Sequence, residues 1–292
     1  MTCAAFLRER RNLLQGMPMS ALEAVLPLDR PGRTRALTPS ARKTLFAAIL
    51  LSTAYYISVQ LGLSLTFRPS PVSVLWPSNA VLLATLLLMP VRTWGVLLLA
   101  VLPPHVIAES SGGVPLPMVL CWYVSNCTEA LIGAGLVRLV SPGPLRLDTV
   151  RGLTVFVALS TFLAPFLSSF LDAGFVALNG WGSDGYWTVW ARRFLSNMLA
   201  IQVLVPVIVG GEPARLRAAQ QMSLQRRLEA GTLGVALVVV CSIAFLSPRN
   251  LTFGPATVYA LLPLLVWAAI RFGTYGVNLC VATIALSSIW GS

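Results

Sequence analysis

The sequence predicts an all-α, polytopic transmembrane bundle of about nine helices, with eight to ten as the range, and three observations predict it. Hydrophobic residues make up 56% of the 292 and charged ones 11%, with a mean hydropathy of +0.78. A water-soluble domain carries roughly 25% charged residues to cover its surface, so this chain needs lipid to bury its apolar material. Apolar runs of roughly 20 residues, the length that crosses the hydrocarbon core as a helix, recur with brief interruptions. The basic residues gather at alternate interruptions, as the positive-inside rule produces.

Residues 1–43 are polar, Arg-rich and interrupted by Pro27 and Pro31, and lack the apolar core of a signal peptide. They are expected to form a basic cytoplasmic tail, with residues 44–292 the transmembrane domain. The stretch from Ser20 to Leu28 has amphipathic character and lies either on an anionic leaflet or free in solution. The expected spans run Leu45 to Leu63, Val72 to Met89, Thr93 to Ala108, Leu116 to Leu139, Leu153 to Leu178, Trp190 to Val209, Ala230 to Ser247, Ala256 to Ile270 and Thr274 to Trp290. With the N-terminus in the cytoplasm, all of the 21 basic residues except Arg68, Arg192, Arg193 and Arg249 fall on that side. The chain then stops on the opposite face after Trp290. A final inward helix and an output domain are therefore expected beyond this sequence.

Two short hairpins read alike. Met89-Pro90-Val91-Arg92-Thr93-Trp94-Gly95 joins the second and third spans, and Arg271-Phe272-Gly273-Thr274-Tyr275-Gly276 joins the eighth and ninth. Either they mark an internal duplication, or both meet the common needs of a short cytoplasmic turn. The formal net charge of +11 follows from the placement of Arg at membrane boundaries and does not point to nucleic acid. Cys121, Cys127, Cys241 and Cys280 lie in apolar runs and Cys3 in the tail, so no disulfide is expected.

Three constellations could carry chemistry. The first is Trp76, Pro77, Ser78 and Asn79 in the second span. Pro77 cannot donate a helical hydrogen bond, so the predicted break lies against protein or a cavity, with Trp76 either an interfacial anchor or part of a site. The second is the fourth span, where Tyr123, Asn126, Glu129 and Ala130 share a face. A carboxyl group at mid-depth is costly unless it is protonated, paired or hydrated, and Asn126, one turn away, is its expected partner. Gly133 and Gly135 leave room for a neighbouring helix. Such a pair either joins helices or receives a signal. The third constellation comprises Glu109, Asp172, Asp184, Arg192 and Arg193, ringed by Trp181, Tyr186, Trp187 and Trp190. Its guanidinium groups could bind a small anion or pair with Asp172 and Glu109.

His105, the only histidine, has no metal-ligating company in the sequence and is expected to be structural. Gly210-Gly211-Glu212-Pro213 superficially matches a diguanylate cyclase signature, but its loop is too short to hold a domain. No nucleophile stands beside a base, and no soluble stretch could house a nucleotide fold, so no catalytic residue, metal or cofactor is expected.

At Trp76-Pro77-Ser78, at the hairpin around Arg92, on the Asn126 and Glu129 face, and at Trp190-x-Arg192-Arg193-Phe194-Leu195-Ser196-Asn197, the chain resembles the membrane-associated sensor domains of the MASE type-one family. The likeness runs from about Leu45 to the end and includes the stretch from Trp267 to Gly273. The chain departs from the common pattern at Asn79, where many members carry Gly. The resemblance implies a bacterial inner-membrane input module for histidine kinases or diguanylate cyclases, without its own catalytic domain. Its signal-sensing candidates are Trp76, Pro77, Asn79, Asn126, Glu129, Asp172, Trp190, Arg192 and Arg193. The expected partners are the lipid bilayer and either a membrane protein or a small ligand, with a homodimer open and nucleic acid excluded. The alternative is a small-solute transporter, which the broken second span, the buried Glu129 and the hairpin repeat would support.

Overall fold

The computed structural model describes residues 39–65, 73–111, 113–143, 145–211, 222–246 and 259–290. Among them the chain is all-helical, with eight helices: α1 (Pro39–Ser64), α2 (Pro77–Leu88), α3 (Trp94–Ser110), α4 (Leu116–Val140), α5 (Val150–Leu178), α6 (Tyr186–Gly210), α7 (Leu224–Cys241, continuing through Ser242–Leu246) and α8 (Leu261–Trp290). Eight lies within the expected range of eight to ten, and the difference from nine lies in α8. There the last two predicted spans run as one helical stretch interrupted at Gly273, whose φ of 64° and ψ of −162° bend the chain. Leu261 and Ala268 from before the bend and Cys280 from after it join the same apolar cluster on α7. Both arms of α8 therefore lie along α7.

Among the described residues, six helical stretches are long and apolar enough to cross a membrane: α1, α3 with its leading turn, α5, α6, α7 and α8. The remaining two, α2 and α4, hold the centre. Nine of the twelve residues of α2 are buried, on all sides of the helix, as expected of a helix enclosed by others. Leu82, Leu83, Leu86 and Leu87 pack with Tyr55 of α1, Leu97 and Val101 of α3, Val137 of α4, Phe156 of α5 and Ile201 of α6 in one cluster. The outward faces stay apolar: Phe46, Leu99, Val235 and Ile270 are each more than 60% exposed, which suits lipid and not water.

The span expected from Val72 to Met89 shortens to Pro77–Leu88, about 18 Å long at 1.5 Å per residue and well short of a hydrocarbon core of about 30 Å. Its C-terminal carbonyls therefore end inside the protein, where neighbours satisfy them. Trp94 Nε1 donates to Leu86 O (3.0 Å) and Met89 O (3.2 Å), and Arg138 Nη2 to Leu87 O (2.7 Å) and Met89 O (3.0 Å). The α8 hairpin has a similar brace, with Arg226 Nη2 donating to Arg271 O at 3.0 Å.

Two prolines illustrate how the bundle absorbs helix breakers. Pro104 in α3 has no N–H for the carbonyl of Ala100, and Ser52 Oγ of α1 takes that carbonyl at 2.7 Å. Pro165 in α5 follows the wide π-helical turns of Phe156–Leu163, which accommodate the hydrogen bond it cannot supply.

The helices alternate in direction and give the bundle two ends. The turns Met89–Thr93 and Ser141–Thr149, together with Gly211, Ser223 and Gly273, form the end that carries Arg92, Arg138, Arg146, Arg151, Arg226, Arg227 and Arg271. The other end gathers Ser73–Trp76, the 110–115 connection and the loop of residues 179–185. The tail up to residue 38, Arg68, the Glu212-Pro213 dipeptide and Arg249 lie outside the described residues.

Candidate functional site: a buried polar column

Helix periodicity turns one polar stripe from each inner helix toward a common axis. On α4 it is Trp122, Ser125, Asn126 and Glu129. On α5 it is Ser168, Ser169 and Asp172, and on α6 Arg193, Ser196 and Asn197. With Ser78 and Asn79 of α2, and His105 and Glu109 of α3, these residues are all less than 9% exposed. They form a polar column running from the 179–185 end to the middle of the bundle.

At the middle of the column, Glu129 joins three helices. Its Oε1 accepts from Asn79 Nδ2 of α2 at 2.8 Å, and its Oε2 accepts from Ser168 Oγ of α5 at 2.5 Å and Asn197 Nδ2 of α6 at 2.8 Å. The expected Asn126–Glu129 pair is not formed. Asn126 Nδ2 instead donates to Tyr55 Oη at 3.2 Å, because its side chain leans toward α1 while Glu129 faces α2, α5 and α6. Tyr55 Oη in turn meets His105 Nδ1 at 3.3 Å, and His105 Nε2 lies 2.9 Å from Val119 O. A carbonyl can only accept, so the imidazole proton sits on Nε2 and Tyr55 donates to Nδ1. His105 is thus a structural link between α1, α3 and α4, as its sequence context suggested.

Close packing accompanies these bonds. A Cβ on Gly133 would lie 3.1 Å from Leu83 Cδ1 and 3.4 Å from Ala164 Cβ, so its bare backbone lets α4 reach both α2 and α5. Gly135, by contrast, has nothing within 4 Å of where its Cβ would stand. Gly62 of α1 makes room for Trp76, whose ring would lie 2.7 Å from an added Cβ.

Toward the 179–185 end the column changes character. The Arg193 guanidinium is sandwiched, 5.0 Å from the Trp122 ring centroid and 5.8 Å from that of Trp76. Glu109 and Asp172 face it, 2% and 1% exposed, but neither comes within the 4 Å of an ion pair. The Ser125 hydroxyl also faces Asp172, without closing a hydrogen bond of ordinary geometry. Among the described residues, Glu109 Oε1, both Asp172 oxygens, Arg193 Nε and the indole nitrogens of Trp76 and Trp122 have no hydrogen-bond partner. A buried polar atom left so costs about 1–3 kcal/mol, so these atoms favour water or a polar ligand over an apolar neighbour.

The arginine pair divides. Arg192 points outward and pairs with Asp184 at 2.6 Å, not with Asp172 or Glu109, because consecutive helix residues face different directions. Trp190 joins an aromatic stack with Phe166, Phe170 and Phe194 on α5 and α6, and its buried Nε1 has no partner among the described residues. Pro77 does not break a helix. It occupies the first turn of α2, where its missing N–H costs nothing, and Trp76 is the residue before that turn. The kink expected at Pro77 is therefore not formed; residues 73–76 of the expected span are non-helical and α2 begins at Pro77. Tyr55, Ser125, Ser168 and Ser169 were missed from sequence. The spacing of Ser168 and Asp172, four residues apart in an apolar helix, was the signal available for the last two.

Among the described residues no cluster of three or more His, Cys, Asp or Glu side chains could hold a metal ion. No curated protein and no solved structure matches the chain. The MASE1 family model matches residues 47–292, which takes in every residue of the column. This membrane-spanning bundle belongs to MASE1, a family of membrane-associated sensory domains.

Proposed function

We propose that the chain is the signal-receiving input module of a bacterial inner-membrane signalling system, with its N-terminus in the cytoplasm. A stimulus taken up at the Arg193 end of the column shifts the packing of α2, α5 and α6 about Glu129. One observation carries this reading. A single buried carboxyl group holds three helices in register, directly below polar atoms that have no partners. An occupant that binds those atoms better in one helix arrangement than in another shifts the population toward it, by the ratio of its two affinities.

The test joins the chain, through one further helix, to a cytoplasmic diguanylate cyclase. Glu129→Gln keeps the size of the side chain. Asn79 and Asn197 each have an unpartnered Oδ1, so one of them can flip and accept from the new amide. The variant is expected to accumulate normally, within about 1 kcal/mol of the parent in stability, and to change cyclase output. Wild-type output would reduce Glu129 to a structural joint. Solute uptake by proteoliposomes of the purified chain would replace the sensor with the transporter. For orientation, Ser183→Cys and Gly211→Cys are placed in a cysteine-free background. A membrane-impermeant thiol reagent on intact cells is expected to label the first and spare the second, and the opposite pattern inverts the topology.

A further inference from the structure

At the 179–185 end a cleft of about 190 Å³ opens between the last turns of α5 and the first turn of α6. The side chains bordering it include Ala173, Val176, Trp181, Tyr186 and Val189, while the surface open to the cleft is about as polar as it is apolar. Asp184 also borders it, already engaged by Arg192. The cleft shares Val176, Trp181, Gly182, Asp184 and Val189 with a narrower space of about 10 Å³, the room of one water, whose far side is formed by Trp122 and Arg193. Trp181 stands at this neck, edge-to-face with Trp122 at 6.5 Å. It is flanked by Gly180 and Gly182 at φ 59° and 84°, a backbone that other residues rarely adopt. Glu109 and Asp172 border neither space, but both face Arg193, and Ala173, next to Asp172, borders the cleft.

The unpartnered atoms at and around Arg193 are of two kinds. Arg193 Nε and Trp122 Nε1 can only donate, while the Asp172 and Glu109 oxygens offer acceptors. An anion would serve the donors and leave the carboxyl groups unanswered. A simple cation would do the reverse. Water or a neutral hydroxyl group can donate and accept in turn, whereas a zwitterion answers both kinds with full charge, and one with an apolar body would leave that body in the cleft. At about 190 Å³ the cleft is below the roughly 300–1,000 Å³ of drug-sized sites, which limits the body to a few carbons.

We propose that this end of the bundle binds a free α-amino acid with an apolar side chain of modest size. Its carboxylate meets Arg193, its ammonium group meets Asp172 and Glu109, and its side chain occupies the cleft after Trp181 swings aside. The proposal rests on the reading of this end as the signal-receiving one, yet binding is measured without any signalling output.

The purified full chain in lipid nanodiscs is titrated with L-leucine, followed by tryptophan fluorescence and by calorimetry. Two half-ligands serve as comparisons: 3-methylbutylamine, which lacks the carboxylate, and 4-methylpentanoate, which lacks the amine. Leucine is expected to bind saturably, and each half-ligand about tenfold or more weakly. Val176→Trp, which fills the cleft from a half-buried position without touching the buried charges, is expected to weaken leucine binding by about tenfold or more. Asp172→Asn should do the same if it folds. Equal binding of the amine alone makes this a cation site, and equal binding of the acid alone makes it an anion site; either overturns the proposal. So does saturable leucine binding unchanged by Val176→Trp, or no saturable binding at all. Leucine binding with no response in the cyclase chimera would keep the site and overturn the sensory reading instead.

Discussion

The six-helix bundle α1–α6 and the α7–α8 hairpin solve the same problem with different materials. In the bundle, buried Asn, Ser, Tyr, His and Glu side chains bond across helices, so each helix has one rotation and one depth at which its polar atoms find partners. In the hairpin, the buried set is Leu233, Leu237, Cys241, Leu261, Ala268 and Cys280, all apolar or weakly polar. Lipid tails are as apolar as leucine, so exchanging one for the other drives association only weakly. Polar contact fixes register in the bundle. Shape and one ionic brace hold the hairpin: Arg271 Nε and Nη2 donate to the two oxygens of Glu229 at 2.5 and 2.6 Å, and Trp267 Nε1 to Oε1 at 3.1 Å. Against the bundle, the hairpin rests Tyr275 on Gly210, where even a Cβ would lie 2.9 Å from the ring, and places Ile289 in the bundle's own cluster.

The comparison breaks most readily at Glu129. Glu129→Lys sets a cation among the amide donors of Asn79 and Asn197, with no carboxyl group bonded there, and the loss is expected to be about 3–5 kcal/mol. Little folded protein should reach the membrane fraction, as judged by fluorescence-detected size-exclusion chromatography. A normal monodisperse peak would mean that the polar column does not set the helix register. At the other extreme, Arg271→Gln removes the brace of the hairpin at a position that is 52% exposed. The thermal midpoint of the bundle should stay where it is, while limited proteolysis near Gly273 accelerates. A cooperative loss of the whole fold on this substitution would show that hairpin and bundle are one energetic unit.

Where the fold was legible, it was legible through length and periodicity. The fourth, fifth and sixth expected spans match α4, α5 and α6 to within a few residues, because each is a long run that ends at Gly, Pro or a charged residue. Two boundaries misled. Pro77 lies in a continuous apolar run, and hydropathy does not distinguish a proline that opens a helix from one that bends it. Gly273 alone, at φ 64° and ψ −162°, makes the bend, so no loop of polar residues marks the boundary in the sequence. At the site, attention to Glu129 followed from the cost of a carboxyl group at mid-depth in lipid, and Asn79, Asp172 and Arg193 followed only as members of separate constellations. Their partners did not. Asn126 and Glu129 share a helix face, but that face is wide enough to serve α1 on one side and α2, α5 and α6 on the other. Which neighbour claims which side chain depends on helix packing that one-dimensional spacing does not contain.

The shortness of α2 bears on how the protein is made. A twelve-residue segment ending in carbonyls that need Trp94 and Arg138 is a poor passenger for a translocation channel that releases segments to lipid one at a time. The same holds for α4, with Glu129 at its centre. Each gains its place from neighbours that insert readily by themselves, α2 from the α1 and α3 spans beside it in the chain, α4 from α3 and α5. Assembly is then expected to run from the rim inward, with the autonomous helices entering first and the two dependent ones drawn in as their polar atoms find partners. The column that would receive a signal is the last part of the domain to exist, and errors of biogenesis should gather there.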